Sequence, residues 1–370
     1  MPSPRCLTFR VPMADPGDVS GVEALFDSGA LSPSEIVAIL GKTEGNGCVN
    51  DFTRGYATVS LRLLLARRLG VPVENTAHVA MVMSGGVEGG LSPHFLVFAV
   101  RQTVDPPGPP ALAIGVAATR PFDPWEIGRM ARTDLTADAV RQAMVHARIA
   151  RPEDVHLAQI KCPLLTQVKM NAIAAAGHTA PVEDTYASMG FSRGASALGA
   201  AVALGEVSRD ALTDSAICQN FGFWSGRASA SAGSELEHNE VIVFGNSSVW
   251  SGPDTIAHAV MGDAIDVSAV HDALDALGLP AGRQLGPVSR GRIKAAIVKA
   301  EPSRDGAIRV WTPMHAPNIG IPACFAPSGL PVGVTSIAGL TDSRLLASAV
   351  ARAPAIDRKV EARKKRLWAE

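Results

Sequence analysis

Two short strings recur along the chain in the same order: a lysine closing an apolar run, then a serine followed by small residues. Lys42 closes the run that begins Ile36 to Leu40, Lys161 closes Val155 to Ile160, and Lys299 closes Ile293 to Val298. Ser84-Gly85-Gly86-Val87-Glu88 follows the apolar run Val79 to Met83, and Ser231-Ala232-Gly233-Ser234-Glu235 follows Ala228 to Ala230. A serine hydroxyl is a weak nucleophile until a base within hydrogen-bond reach takes its proton. Lysine can be that base only when neutral, a state favoured by burial and by nearby cations. Arg54 and Arg193 follow the first two lysines, and a guanidinium fork suits a planar ligand rich in carbonyl groups. Backbone N–H groups in the turn after Ser84-Gly85 or Ser231-Ala232 could cradle an oxyanion. Together these parts describe acyl transfer without a metal. Singly, each has a plainer reading: a solvated strand end, a tight turn, a surface ion pair. Their recurrence in one order favours function, and a near-threefold set of Ser, Lys and Arg would suit a small, oxygen-rich ring.

The elements that must position these residues also repeat. Asp18-Val19-Ser20-Gly21-Val22, Thr136-Ala137-Asp138-Ala139-Val140 and Asp266-Val267-Ser268-Ala269-Val270 read as three helix openers, about a third of the 370-residue chain apart. Ser20 and Ser268 are the expected N-caps, with Glu23 placed for a capping box. Each helix is followed by the lysine-terminated apolar run, read as a buried strand, then by the serine-terminated strand and a further β-like run, Phe95 to Val100 or Val241 to Phe244. Strands alternating with helices predict an α/β fold. No convincing third serine of this kind occurs near the C-terminus.

Several other signals have plainer explanations. Gly190-Phe191-Ser192-Arg193-Gly194 matches the nucleophile elbow of α/β-hydrolases, with a helix-like stretch from Ala195 to Leu204 after it. The preceding Pro181 to Tyr186 is not an apolar strand, so a Gly-rich loop entering a helix is the preferred reading. His78, His94, His178 and His238 lack metal-ligand spacing and are expected to be structural. Five cysteines without a CxxC pair argue against a disulfide framework and fit a reducing compartment. A formal net charge of -1 provides no basic field, so nucleic acid is not an expected partner. Without an apolar leader or a spanning apolar run, the expectation is a cytoplasmic protein that does not engage membranes.

The long strings around the candidate residues resemble the cyanuric acid hydrolase/barbiturase family of ring-opening amidohydrolases. They include Gly41-Lys42-Thr43-Glu44-Gly45-Asn46-Gly47 to Asp51, Met83 to Gly89, Lys161-Cys162-Pro163-Leu164-Leu165, Asp184 to Gly199, Ala228 to Gly233 and Met261 to Asp266. The resemblance covers roughly residues 5 to 306. It implies three similar α/β domains around a pseudo-threefold axis with the active site at the centre, at 1–105, 106–250 and 251–370. It implies a homotetramer acting on a small cyclic imide or amide. Carried over residue by residue, Ser231 is the nucleophile and Lys161 its base. Arg54, Arg193, Ser84, Gly85, Ala232, Lys42 and Lys299 bind substrate. No cofactor is implied for catalysis, and Glu301 is a ligand of a structural Mg or Ca ion.

After Asp305-Gly306 the chain departs from that pattern. Gly320 to Leu346 resembles the C-terminal stretch of amidase-signature enzymes, a part expected to carry no chemistry, so the third domain is atypical. Ser328-Gly329 reads as a turn and Arg363 to Arg366 as a solvated helix end. The leading expectation is hydrolytic opening of cyanuric acid to carboxybiuret, which then gives biuret. The alternatives are a barbiturase, an inactive remnant that binds small molecules, and an esterase using Ser192.

Overall fold

The computed structural model describes residues 2–297, apart from residues 48, 86–91, 107, 262–265 and 280–284. Lys299, Glu301 and the atypical segment after 306 therefore lie outside the described residues. The first unit runs β1 (Ser3–Pro12), α1 (Ser20–Asp27), β2 (Ile36–Lys42), α2 (Thr53–Leu69), β3 (Ala80–Ser84) and β4 (His94–Thr103). The second runs β5 (Ala111–Ala118), α3 (Met130–His146), β6 (Val155–Pro163), α4 (Gln167–Ala175), α5 (Thr185–Ala203), β7 (Ala228–Gly233) and β8 (Glu240–Ser247). Two helices follow, α6 (Val267–Ala276) and α7 (Pro287–Gly291).

The two sheets have one topology. The strand orders are β1-β4-β2-β3 and β5-β8-β6-β7. Only the last pair of each sheet is parallel, β2 with β3 and β6 with β7. A parallel pair needs a crossover, and α2 makes it in the first unit, α4 and α5 in the second. The mixed α/β class expected from the alternating pattern is thus observed, with two copies of the repeat among the described residues.

Packing explains why both faces of the central strands are apolar. One face of the first sheet, with Ile39, Met81, Phe95 and Val97, packs on Val22, Leu61, Leu64 and Leu65 of α1 and α2. Its other face, with Ala38, Leu40, Val82 and Phe98, joins the larger core of the second unit. The Phe98 and Phe244 rings meet edge to face there, centroids 4.8 Å apart. Helix α3 lies close against both α5 and β5. A Cβ on Gly199 would stand 2.5 Å from the Thr133 carbonyl, so the absence of a side chain sets that approach.

Several local expectations need correction. Ser20 and Ser268 are not the N-caps. Val19 precedes α1 without a side-chain cap, while Asp266 caps α6 by accepting from Ser268 N and Ala269 N. The Asp266 carboxylate, two residues before Ser268, reaches those amides, which a serine already inside the helix cannot. Thr136 to Val140 lies inside α3 rather than opening it. The part of the Ile293 to Val298 run that is described, 293–297, forms no strand of either sheet, although Ile293 and Ala295 are buried. Gly190 to Gly194 is neither a nucleophile elbow nor a loop. It lies within the 19-residue helix α5, where Ser192 is fully buried and donates to the Pro163 carbonyl at 2.6 Å.

Candidate active site

The register of the strands assembles the site. In the second sheet Lys161 of β6 pairs with Ser231 of the parallel neighbour β7 and with Glu240 of the antiparallel neighbour β8. Register partners project from the same face of a sheet, with strands about 4.8 Å apart. Ser231, Lys161 and Glu240 therefore form one row. In the first sheet the corresponding row is Ser84, Lys42 and His94. The recurrence seen in the sequence is thus a recurrence in space.

The second row has the more reactive surroundings. Lys161 is 1% exposed, and its Nζ donates to the Met83 carbonyl at 2.9 Å and pairs with Glu235 Oε1 at 3.2 Å. Burial holds the lysine below its ordinary pKa; Glu235 opposes that and Arg54 adds to it. Burial would raise the Glu235 carboxyl, but Lys161 and Arg54 together outweigh it and hold it low. Arg54, 3% exposed, has its Nε 3.9 Å from Glu235 Oε1 and 4.0 Å from Asp51 Oδ2. Asp51 accepts from Gly47 N and Thr53 N, which fixes the start of α2 and thereby Arg54. Ser231 Oγ is shut off from solvent and makes no hydrogen bond among the described residues. A buried hydroxyl without a partner costs about 1–3 kcal/mol. In the first row, Lys42 donates to the Gly85 carbonyl at 2.6 Å, and Ser84 Oγ has the same carbonyl at 3.4 Å.

The remaining sequence candidates are placed as follows. Ala232 is buried beside Ser231. Gly85 lies under Asp51, whose carboxylate an added Cβ would strike. Arg193 sits on α5, which packs on β7. The structure therefore brings Lys161, Ser231 and Arg54 together, with Lys42, Ser84 and Gly85 in the matching row.

Sequence reasoning gave no role to four residues here. Glu235 was visible as the last letter of the repeated Ser-small-Gly-x-Glu string, and Asp51 stood in a quoted motif. Glu240 has no such signal, because only register sets it opposite Lys161. Arg132 on α3 is fully buried, and burial pushes its pKa down to about 10. It donates to Ser196 Oγ, to the Pro163 carbonyl and to Asn239 Oδ1, and lies 4.6 Å from the Phe122 ring centroid. It ties the end of β6 to the residue before Glu240.

Chemically, the row offers a buried hydroxyl, an amine biased towards neutrality and a guanidinium nearby, groups of the kind acyl transfer uses, with Lys161 bonded to the Met83 carbonyl and Glu235 and not to Ser231. Among the described residues no three His, Cys, Asp or Glu side chains gather as a metal site, and no helix is long and apolar enough to cross a membrane.

Comparison with known proteins points the same way. A family model described as amidohydrolase ring-opening protein matches residues 8–314. The cyanuric acid amidohydrolase of Azorhizobium caulinodans is 52% identical over 307 residues, covering 83% of each chain. That of Enterobacter cloacae is 49% identical over 311 residues, covering 81% of this chain and 83% of its own. A solved cyanuric acid hydrolase, described as an innovation by structural concatenation, superposes with a TM-score of 0.79 at 47% identity over 83% of this chain and 84% of its own. The A. caulinodans crystal structure gives 0.76 at 51% identity, covering 83% of each chain.

Proposed function

The chain belongs to the ring-opening amidohydrolase family, and on that premise we propose that it hydrolyses cyanuric acid through Ser231 and Lys161. The observation that carries the mechanism is the Ser231 hydroxyl, buried and without a partner, one strand away from a buried lysine.

Neutral Lys161 takes the Ser231 proton as Oγ attacks a ring carbonyl carbon. Arg54 and Arg193, with backbone N–H groups beside Ser231-Ala232 and Ser84-Gly85, stabilise the oxyanion that forms. Collapse of the tetrahedral adduct breaks the ring C–N bond, and the leaving nitrogen receives the proton carried by Lys161. Water, passing a proton to the again neutral Lys161, then attacks the ester carbon, and the C–O bond to Ser231 breaks as Lys161 returns that proton to its oxygen. The product, carboxybiuret, loses carbon dioxide to give biuret. Lys42 contributes a further amine to substrate binding, the role the resemblance also gives to Lys299. Binding the planar ring displaces Glu235 from Lys161, which removes the anion that favours the charged amine.

A homotetramer in the cytoplasm, and a structural Mg or Ca ion at Glu301 with no part in bond cleavage, complete the reading. Turnover of cyanuric acid by the wild type, lost in Ser231→Ala, is the expected result. Turnover of barbituric acid alone would move the substrate to a pyrimidine ring, and turnover of neither by the folded protein would refute the reading. Sedimentation reads the tetramer.

A further inference from the structure

The open edge of β3 is covered by two side chains of the other unit. β3 ends the first sheet. Ser84 turns its carbonyl inward to Thr43 N, so the alternate residues, Met81 and Met83, present their backbone polar groups outward. Met81 N donates to Glu240 Oε2 at 2.8 Å, and the Met83 carbonyl accepts from Lys161 Nζ at 2.9 Å. Glu240 and Lys161 are register partners on adjacent strands. A carboxylate and an amine thus stand where the acceptor and donor of a neighbouring strand would be. Glu240 is 4% exposed, touched otherwise by Arg62 Nη2 at 3.5 Å, and its neighbour Asn239 is tied down by Arg132 and by Thr136 Oγ1.

We infer that Glu240 is a positioning residue: by docking on Met81 N it fixes the edge of the first sheet against the row that holds Lys161 and Ser231. It touches no reacting atom. An error of about 1 Å in placing reacting groups can lower a rate about a hundredfold, and the Lys161 amine takes its position from a carbonyl only two residues along the same edge. The inference deepens the proposed Ser–Lys reading and rests on it for its kinetic part.

Two conservative variants separate reach from charge. Glu240→Gln keeps an acceptor at the same length, whereas Glu240→Asp keeps the charge but is one methylene shorter. The expected result for E240D is a kcat lowered about tenfold or more with KM nearly unchanged, and faster hydrogen exchange at the Met81 amide. E240Q should rescue both. Exchange is read whether or not the protein turns over a ring, so the docking is tested separately from the chemistry. Unchanged Met81 protection in E240D overturns the inference. So does lost protection with a wild-type kcat, or an E240Q as impaired as E240D.

Discussion

Ser231 and Lys161 are register partners on neighbouring parallel strands, yet the serine hydroxyl makes no hydrogen bond while the lysine amine turns to Met83 and Glu235. The proposed nucleophile therefore has no acceptor for its proton in this arrangement. Lys161, on the neighbouring strand, is engaged instead by the Met83 carbonyl and by Glu235.

The first prediction concerns that orphan hydroxyl. Ser231→Ala should lower turnover at least about a thousandfold, as loss of a nucleophile does. The same change removes an unsatisfied buried group, so the variant should be more stable by about 1 kcal/mol. Chemical denaturation beside the assay checks both, and a destabilised S231A would contradict the unpartnered state.

Glu235 should shift the pH profile. The base acts when neutral, so kcat/KM should rise with pH through the Lys161 pKa, which burial holds below that of free lysine. Glu235 raises that pKa by favouring the ammonium form. Glu235→Gln should therefore move the acidic limb to lower pH; a move to higher pH would contradict the ion pair.

Glu240 should make stability depend on pH. Burial raises its carboxyl from 4.5 to about 7 in the folded chain. A folded pKa above the unfolded one contributes stability that is complete below about 4.5 and is lost as pH rises through about 7. The wild type should accordingly gain on Glu240→Gln as the pH falls across that window, by roughly 3 kcal/mol. Paired denaturation curves at several pH values measure it.

Chelation tests the division between chemistry and structure. With a serine nucleophile and a lysine base, removing divalent ions should leave kcat within about twofold wherever the protein stays folded. An ion at Glu301 would instead show as a lower melting temperature after chelation.

Much of the fold was legible because its strands are short apolar runs closed by polar letters. Ile36 to Leu40, Val155 to Ile160 and Val241 to Phe244 all fall in strands, and Val79 to Met83 does so from Ala80 onward. β1 carries Arg5, Thr8 and Arg10 and has no clear local signal, and the glycines of α5 left only its second half, from Ala195, legible as a helix; pairing with β4 and packing against α3 override propensity there. The Gly190 to Gly194 string misled for the same reason: whether such a string makes an elbow or a helix turn is decided by what lies on either side of it in space.

The recurrence of Lys42 and Lys161 with Ser84 and Ser231 was written in the order of residues, because a repeated unit repeats its chemistry wherever it folds. The amino acids alone thus determined the class, the repeat and the pair worth watching. Tertiary structure decided which copy holds an unpartnered hydroxyl, that Glu235 rests against the lysine, and that Glu240 faces it across a strand. Those facts depend on register and on one sheet meeting the edge of another, and no spacing within a single segment encodes the distance between segments far apart along the chain.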